Sequence, residues 1–449
     1  MPERLSARDI LALVTDPGSF RELPAPARQS PPDGPLGWQG YDASHARAAA
    51  RTGEQESVVC GTAGVEGTRA VLIAFEFGFL GGSLGERTGD RLEAAYAHAR
   101  AHRLPVVPLI ATGGSRMQEG MLALTQLQRV ARQSALTREA GLPQIAVLRD
   151  PTTGGGWATL GAGADVVLAL PGAQVGFAGS RVRPPDADPA AYTAEAQVRA
   201  GSADAVVHAA ELKGVLGTWL RLLTAPAAEA APPPALGGAG LPGTGWDAVV
   251  RARDPERPRA RAYLDACFGE RVLISGDRCG GSDPDGVLCG FGERDGRTVA
   301  YAAQTGAATR PAGYRTAARL IRLADRLGIP VLTLVDTPGA ANDAEAERQG
   351  AGAAIAEVFG AVAAARVPIT TLVIGEGGSG GALALAAPGN TWATPDSYFS
   401  VIAPELAAAI LKRPPQEVEA TADQLRIRPQ DLVELGVVRG IVDHPREVT

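Results

Sequence analysis

The sequence predicts an α/β protein of two tandem domains produced by an internal duplication. Three observations carry that reading. Residues 103–114, RLPVVPLIATGG, and residues 328–339, GIPVLTLVDTPG, both place Pro before an apolar, β-branched run that stops at Thr and glycine. Thr112 and Thr337 mark the equivalent points, about 225 residues apart. A second pair follows in register, IAVLRDPTTGGGWATL at 145–160 and TTLVIGEGGSGGALAL at 370–385. Finally, an amphipathic stretch precedes the first strand in each half, RLEAAYAHARAH at 91–102 and GYRTAARLIRLADRL at 313–327. Strands that alternate with helical patterns argue for α/β units with mainly parallel pairing. A period this long indicates a duplicated domain, since solenoid repeats run only about 20–50 residues. Two related domains imply one site built from both, holding two different ligands.

In chain order, a helix is expected over about Ala7 to Thr15, ending at the turn signal Asp16-Pro17-Gly18. Residues 24–45 are rich in Pro, Gly and Ser and read as loop. Strand and helix signals alternate from about Ser57 to Leu223. Residues 225–245, APAAEAAPPPALGGAGLPGTG, are low-complexity Ala/Pro/Gly and read as a linker. A second alternating run fills about 246–445, so the domains are 1–224 and 246–449.

Composition narrows the class. The chain has 449 residues, 45% hydrophobic and 20% charged, as an ordinary globular protein does. A net charge of −6 offers no basic footprint for nucleic acid or an anionic membrane. Apolar runs are broken by Glu76, Asp165 and Glu376 before reaching the ~18 residues of a membrane span. The start, MPERLSARDI, has no apolar signal-peptide core, so a cytoplasmic protein is expected. Cys60, Cys267, Cys279 and Cys289 form no C-x-x-C pair and read as structural thiols.

The chemistry concentrates in two glycine clusters. Gly154-Gly155-Gly156 follows the strand IAVLRD, and Gly375 through Gly381 follows TTLVI; each leads into a small-residue helix. At a helix N-terminus the first N–H groups lack partners and the dipole favours negative charge. Glycine lets a ligand approach the backbone and aims two N–H groups at one point. Such a pair can stabilise an oxyanion, for example the enolate of a thioester. A single cluster would be read as turn geometry; matched clusters in a duplication favour function.

A rival reading exists. Gly377-Gly378-Ser379-Gly380-Gly381 fits the G-x-S-x-G nucleophile elbow, and Ser379, Asp431 and His444 stand in the hydrolase order. The equivalent cluster of the first half, TGGGW, has no serine, so a serine hydrolase leaves the duplication unexplained. His45, His98, His102 and His208 show neither triad nor metal spacing.

These residues support a specific resemblance. FGFLGGSLGERTGDRL at 77–92, LIATGGSRMQEGMLAL at 109–124, DPTTGGGWATL at 150–160 and PGAQVGFAGSRV at 171–182 resemble the β subunit of bacterial acetyl-CoA carboxylase carboxyltransferase. The second half resembles the α subunit, through WDAVVRARDPERP at 246–258, the segment 313–340, VIGEGGSGGALAL at 373–385, SYFSVIAPE at 397–405 and DLVELGVVRGIV at 431–442. The resemblance covers nearly the whole chain apart from 225–245. It implies a crotonase-like fold of ββα repeats in each half, with acyl-CoA bound by the first and carboxybiotin by the second.

Carried over motif by motif, the resemblance implies a thioester oxyanion held by Gly155 and Gly156 with the Gly113-Gly114 loop. It implies a biotin ureido oxygen held by Gly380 and Gly381, with Gly339, Ala340, Gly377 and Gly378 around it. Phe79, Gly81, Gly82 and Arg116 would line the CoA pocket. In that family the site joins the β part of one protomer to the α part of another, which implies at least a homodimer. The implied reaction carries a carboxyl group from carboxybiotin to the α-carbon of acetyl-CoA or a related acyl-CoA, giving malonyl-CoA.

The chain also departs from the family. It lacks the four-cysteine zinc ribbon of separate β subunits, so no bound metal is expected. After DTPGA it has Ala341-Asn342-Asp343 where the family has Tyr-Pro-Gly, and QTGAATRPA at 304–312 replaces a longer loop. These changes keep open a biotin-independent malonyl-thioester decarboxylase; a non-catalytic scaffold would not need two oxyanion clusters. No Met-Lys-Met biotin-attachment sequence is present, and Lys213 and Lys412 lie outside any ATP-binding loop. A biotin carboxyl carrier protein and a biotin carboxylase are therefore expected as separate chains.

Overall fold

A computed structural model describes residues 4–444; the outermost ends of the predicted domains, 1–3 and 445–449, lie outside the described residues. Two compact units are formed, one by the chain up to Thr224 with Arg278–Gly280, the other by Ala225–Asp277 with the chain from Gly281 onward. Each unit holds an eight-stranded sheet.

In the first unit, Val58–Val65 and Thr68–Phe75 form an antiparallel hairpin. Its two-residue turn, Glu66-Gly67, has φ values of 47° and 80°, the sense that matches strand twist. Helix Glu86–His102 then leads to strand Val106–Thr112, parallel to Thr68–Phe75. Its buried stripe, Leu92, Ala95, Tyr96 and Ala99, has the i, i+3, i+4, i+7 spacing of a helix face. Helix Gly120–Glu139 leads to strand Ile145–Thr153, followed by Val166–Ala169 in parallel. Strand Val106–Thr112 is buried throughout, as a parallel strand inside a sheet must be.

The second unit repeats this order. The hairpin Val287–Arg294 with Arg297–Gln304 turns at Asp295-Gly296, with φ values of 53° and 72°. Helix Pro311–Leu327, strand Val331–Thr337, helix Ala351–Ala364 and strand Ile369–Gly378 follow, the strands pairing in parallel. Tyr314, Ala317, Ala318 and Ile321 form the buried helical stripe.

Both sheets carry the same irregularity. Ile110 pairs with Leu148 but Thr112 with Thr152; Val335 pairs with Val373 but Thr337 with Gly377. Each second strand thus bulges, and bulges beside sites re-aim the chain. Past the bulge the strand takes a new partner: Thr152-Thr153 run beside Val175-Gly176, and Glu376–Gly378 beside Tyr398–Ser400. In each unit the glycine cluster therefore leaves the main sheet at the equivalent place. This repeated ββα construction is the crotonase-like fold that the resemblance implied.

Two segments differ from expectation. The predicted loop 24–45 already contains the start of helix Tyr41–Thr52. Reciprocal bonds from Asp33 N–H to Asp42 (2.9 Å) and from Asp42 N–H to Asp33 (3.1 Å) fix that start. Residues 225–245 are not a loose linker: Ala230 and Ala235 are buried among Tyr263, Leu264 and Phe268. Ala227 N–H donates to Thr298 O (2.9 Å) and Ala235 N–H to Asp443 O (3.0 Å). Alanine buries without losing side-chain rotamer freedom, so a composition that suits linkers also suits close packing. Among the described residues no helix is long and apolar enough to cross a membrane.

Candidate functional site

The end of strand Val106–Thr112 is shaped by a hydroxyl. Thr112 Oγ1 accepts from Gly114 N–H at 3.0 Å, and Gly114 takes φ 108°, which favours glycine. Thr337 and Gly339 repeat the device in the second unit, at 3.1 Å with φ 143°. Gly113 N–H donates to Gly81 O at 2.9 Å. The N–H groups of Gly113 and Gly114 are thus engaged inside the unit, and their loop contributes shape rather than donors. Gly155 and Gly156 open a short helix, where N–H groups have no partner one turn back.

Backbone packs on backbone here. A Cβ on Gly154 would lie 3.2 Å from Gly114 Cα, and one on Gly82 would strike Ala111 O. A Cβ on Gly156 would collide with the Thr112 methyl, and one on Gly155 with Leu127. The structure therefore brings Gly81, Gly82, Gly113, Gly114, Gly155 and Gly156 together in the first unit.

Arg116 and Phe79 are placed otherwise than as CoA contacts. Arg116 is 1% exposed and its guanidinium pairs with Glu56. It also donates to Tyr41 Oη at 3.1 Å and Ser83 O at 2.9 Å, with Glu119 Oε1 at 3.4 Å. Its own N–H donates to Leu84 O at 2.9 Å, and Leu84 N–H to Gly114 O at 2.9 Å. Burial disfavours the Glu56 carboxylate, but Arg116 overrides it and holds Glu56 below the usual range. Phe79 is wholly buried, its ring edge-on to His45 at 4.8 Å. Both side chains thus fasten the loops rather than face a ligand.

In the second unit the equivalent loops also meet. A Cβ on Gly378 would strike Pro338 O and lie 2.7 Å from Gly339 N; one on Gly381 would lie 2.5 Å from both Ala340 N and Tyr314 Oη. A Cβ on Gly377 would lie 2.6 Å from the Phe399 ring. Gly380 is exposed, with no atom within 4 Å of an added Cβ. Ala340 N–H takes no part in the bridge to Thr309, whose bonds run from Thr309 N–H to Gly339 O (3.3 Å) and from Ala341 N–H to Thr309 O (2.9 Å). Ala340 and Gly381 thus meet at the start of helix Ser379–Leu383, with Gly380 exposed beside them. Ser379 adopts φ 59° where the duplication places Gly154 at 63°.

Sequence reasoning missed what supports this loop. Gln304 Nε2 donates to Gly381 O and to Thr309 Oγ1, both at 3.2 Å. The buried Tyr314 hydroxyl lies against Gly381 beside Thr309; burial pushes its pKa up. Asp336, also pushed up by burial, is opposed by Arg257, whose Nη2 lies 2.5 Å from Asp336 Oδ1. Gly375 is the one available signal, since a Cβ there would strike Arg257 and Asp336.

The hydrolase reading finds no support. Asp431 is gripped by Arg428 through both oxygens at 2.8 Å, and no hydrogen bond links Ser379, Asp431 and His444 among the described residues. No cluster of three metal-ligating side chains occurs among the described residues.

Comparison with known proteins decides the family. The family model described as carboxyl transferase domain matches residues 4–210, and that described as acetyl co-enzyme A carboxylase carboxyltransferase-like matches 243–449. The acetyl-coenzyme A carboxylase carboxyl transferase subunits beta/alpha protein of Salinispora arenicola is 41% identical, over 98% of this chain and 83% of its own. The chain belongs to the carboxyl transferase family. Its fused halves follow the beta/alpha order of that relative. A probable biotin-dependent acyl-coenzyme A carboxylase beta3 subunit from Mycobacterium bovis is 34% identical, over 98% of this chain and 89% of its own. Among solved structures, transcarboxylase 12S, a hexamer, superposes with TM-score 0.80 at 22% identity, over 98% of this chain and 87% of that one; this likeness bears on fold. By family the chain is a carboxyl transferase enzyme.

Proposed function

We propose that this carboxyl transferase moves a carboxyl group from carboxybiotin, presented by a separate carrier protein, to the α-carbon of acetyl-CoA or a related acyl-CoA. The observation that carries this is the close-packed glycine loops repeated in each unit, each at a helix start where the first backbone N–H groups lack a partner one turn back. The first unit takes the acyl-CoA: Gly155 and Gly156 donate to the thioester oxygen as it gains enolate charge. Fixed dipoles aimed where charge develops need no reorganisation during reaction. We assign the ureido group to the second unit, where Ala340 meets Gly381 and Gly380 is exposed beside them. Carboxybiotin supplies the carboxyl group and, once relieved of it, the nitrogen that accepts the α-proton. Ala340, Gly380 and Gly381 orient the ureido oxygen, and holding both reactants at once supplies proximity. A biotin carboxylase, the carrier and a homodimer or larger assembly of this chain complete the working system.

The test is the reverse reaction: malonyl-CoA with and without biocytin, following acetyl-CoA. Biocytin-dependent formation supports the proposal, and biocytin-independent release of carbon dioxide supports the second reading, a malonyl-thioester decarboxylase. That second reading rests on the segments that depart from the family's pattern. The altered segments 304–312 and 341–343 are fastened to each other beside the Gly339-Ala340 loop, through Thr309 and through Arg310 to Asp343 at 3.1 and 3.2 Å.

A further inference from the structure

The two oxyanion loops are copies, but they are fastened differently. In the first unit the chain after the loop supplies Arg116. In the second, the fastening residue comes from outside the repeated ββα order, from the segment after helix Gly245–Arg253. Arg257 Nε donates to Ala252 O at 2.5 Å, Nη1 to Ile374 O at 3.2 Å, and Nη2 to Asp336 Oδ1 at 2.5 Å. Asp336 Oδ1 also accepts Glu376 N–H at 3.2 Å, and Asp336 O accepts Gly306 N–H at 2.8 Å. Arg259 Nη1 stands 3.5 Å from Asp336 Oδ2.

These contacts fall at the bulge, where Ile374, Gly375 and Glu376 face Asp336 across the ladder. Asp336 stands directly before Thr337-Pro338-Gly339, and Glu376 directly before Gly377-Gly378. One carboxylate thereby sets the separation of the two strands from which the Gly339-Ala340 loop and the Gly380-Gly381 helix start depart. Asp336 is fully buried and Arg257 is 8% exposed, so the pair is shielded from water. A planar guanidinium that donates at once to Ala252 O, Ile374 O and Asp336 Oδ1 fixes direction as well as distance.

We propose that Asp336 and Arg257 are positioning residues for the donor-side oxyanion loops, holding Ala340 N–H and Gly381 N–H at the spacing that carboxyl transfer requires. The role rests on the carboxyl transfer reading, and two independent readouts separate them. Full-length wild type, Asp336→Asn and Arg257→Lys are compared in biocytin-dependent malonyl-CoA turnover and in amide hydrogen exchange. Asp336→Asn keeps the side-chain shape and one acceptor; Arg257→Lys keeps the charge and loses the fork. The expected result is a fall in kcat of about 10- to 100-fold for Asp336→Asn, for a loop shift of up to about 1 Å. Arg257→Lys loses less, and the KM for malonyl-CoA stays within about twofold because the first unit is untouched. Exchange quickens in peptides 337–342 and 377–383, with first-unit peptides unchanged. Unchanged exchange there overturns the clamp, whatever the turnover. So does a wild-type kcat in either folded variant, or a loss confined to the KM for malonyl-CoA. If Asp336→Asn fails to fold, Arg257→Lys decides by the same criteria. A wild type without biocytin-dependent turnover overturns the carboxyl transfer reading, and the exchange result still judges the clamp.

Discussion

Replacing Gly381 with Ala separates a close-packed oxyanion loop from an ordinary turn. The new Cβ would lie 2.5 Å from Ala340 N and from Tyr314 Oη, against 3.4 Å at the near edge of ordinary contact. The backbone must therefore yield by about 1 Å, since only the Tyr314 side can give by side-chain motion. Overpacking of this kind costs about 1–3 kcal/mol, which leaves a large domain folded. A 1 Å misplacement of groups that position the reaction lowers rate by about 100-fold, or about 2.7 kcal/mol of barrier. Steady-state turnover of malonyl-CoA with biocytin should fall by that order, with the KM for malonyl-CoA unchanged. Gly380→Ala is the comparison, because nothing within 4 Å opposes its methyl. It should match wild-type stability to about 0.5 kcal/mol and lose less activity. A folded Gly381→Ala enzyme turning over within about twofold of wild type would refute the assignment of Ala340 and Gly381 N–H.

Arg116→Met leaves Glu56 and Glu119 without their buried cation and should destabilise the first unit by about 3–5 kcal/mol in denaturant titration. Unchanged stability with a raised KM for malonyl-CoA would instead restore Arg116 as a CoA contact. Because Glu56 is depressed in the folded state, its stabilisation is complete above the unfolded value of about 4.3 and fades as pH falls below it. Wild-type stability should accordingly decline from about pH 4 downward, and less so in Glu56→Gln. Thiol reagents at pH 8 should modify exposed Cys279 first and spare Cys60 and Cys289, which are buried with pKa pushed up to about 12. Uniform labelling of all four would contradict the placement. Arg310→Ala removes an exposed pair with Asp343 and should change stability by under about 1 kcal/mol while raising the KM for biocytin.

Much of the fold was legible because duplication repeats its signals. The apolar runs ending at Thr112 and Thr337 and the two glycine clusters mark equivalent places in both sheets. The hairpins carry a signal too, in Glu66-Gly67 and Asp295-Gly296 between strand-forming runs. Other features have no local signature. Arg257 and Asp336 are 79 positions apart, and Arg116 and Glu56 are 60 apart, so only the folded chain pairs them. Arg116 illustrates the ambiguity of a basic residue beside a glycine loop: its charge suits a phosphate, but buried carboxylates claim it. The segment 225–245 shows the converse, since Ala and Pro serve a linker and a packed strap equally well.

The most direct test follows the carboxyl carbon itself. Malonyl-CoA labelled at the free carboxylate is incubated with the full-length protein and biocytin, and label is traced in carboxybiocytin and in carbon dioxide. Carboxyl transfer predicts label in carboxybiocytin, matched by acetyl-CoA formation that depends on biocytin. Acetyl-CoA formed at the same rate without biocytin, with all label in carbon dioxide, would contradict carboxyl transfer and leave a decarboxylase.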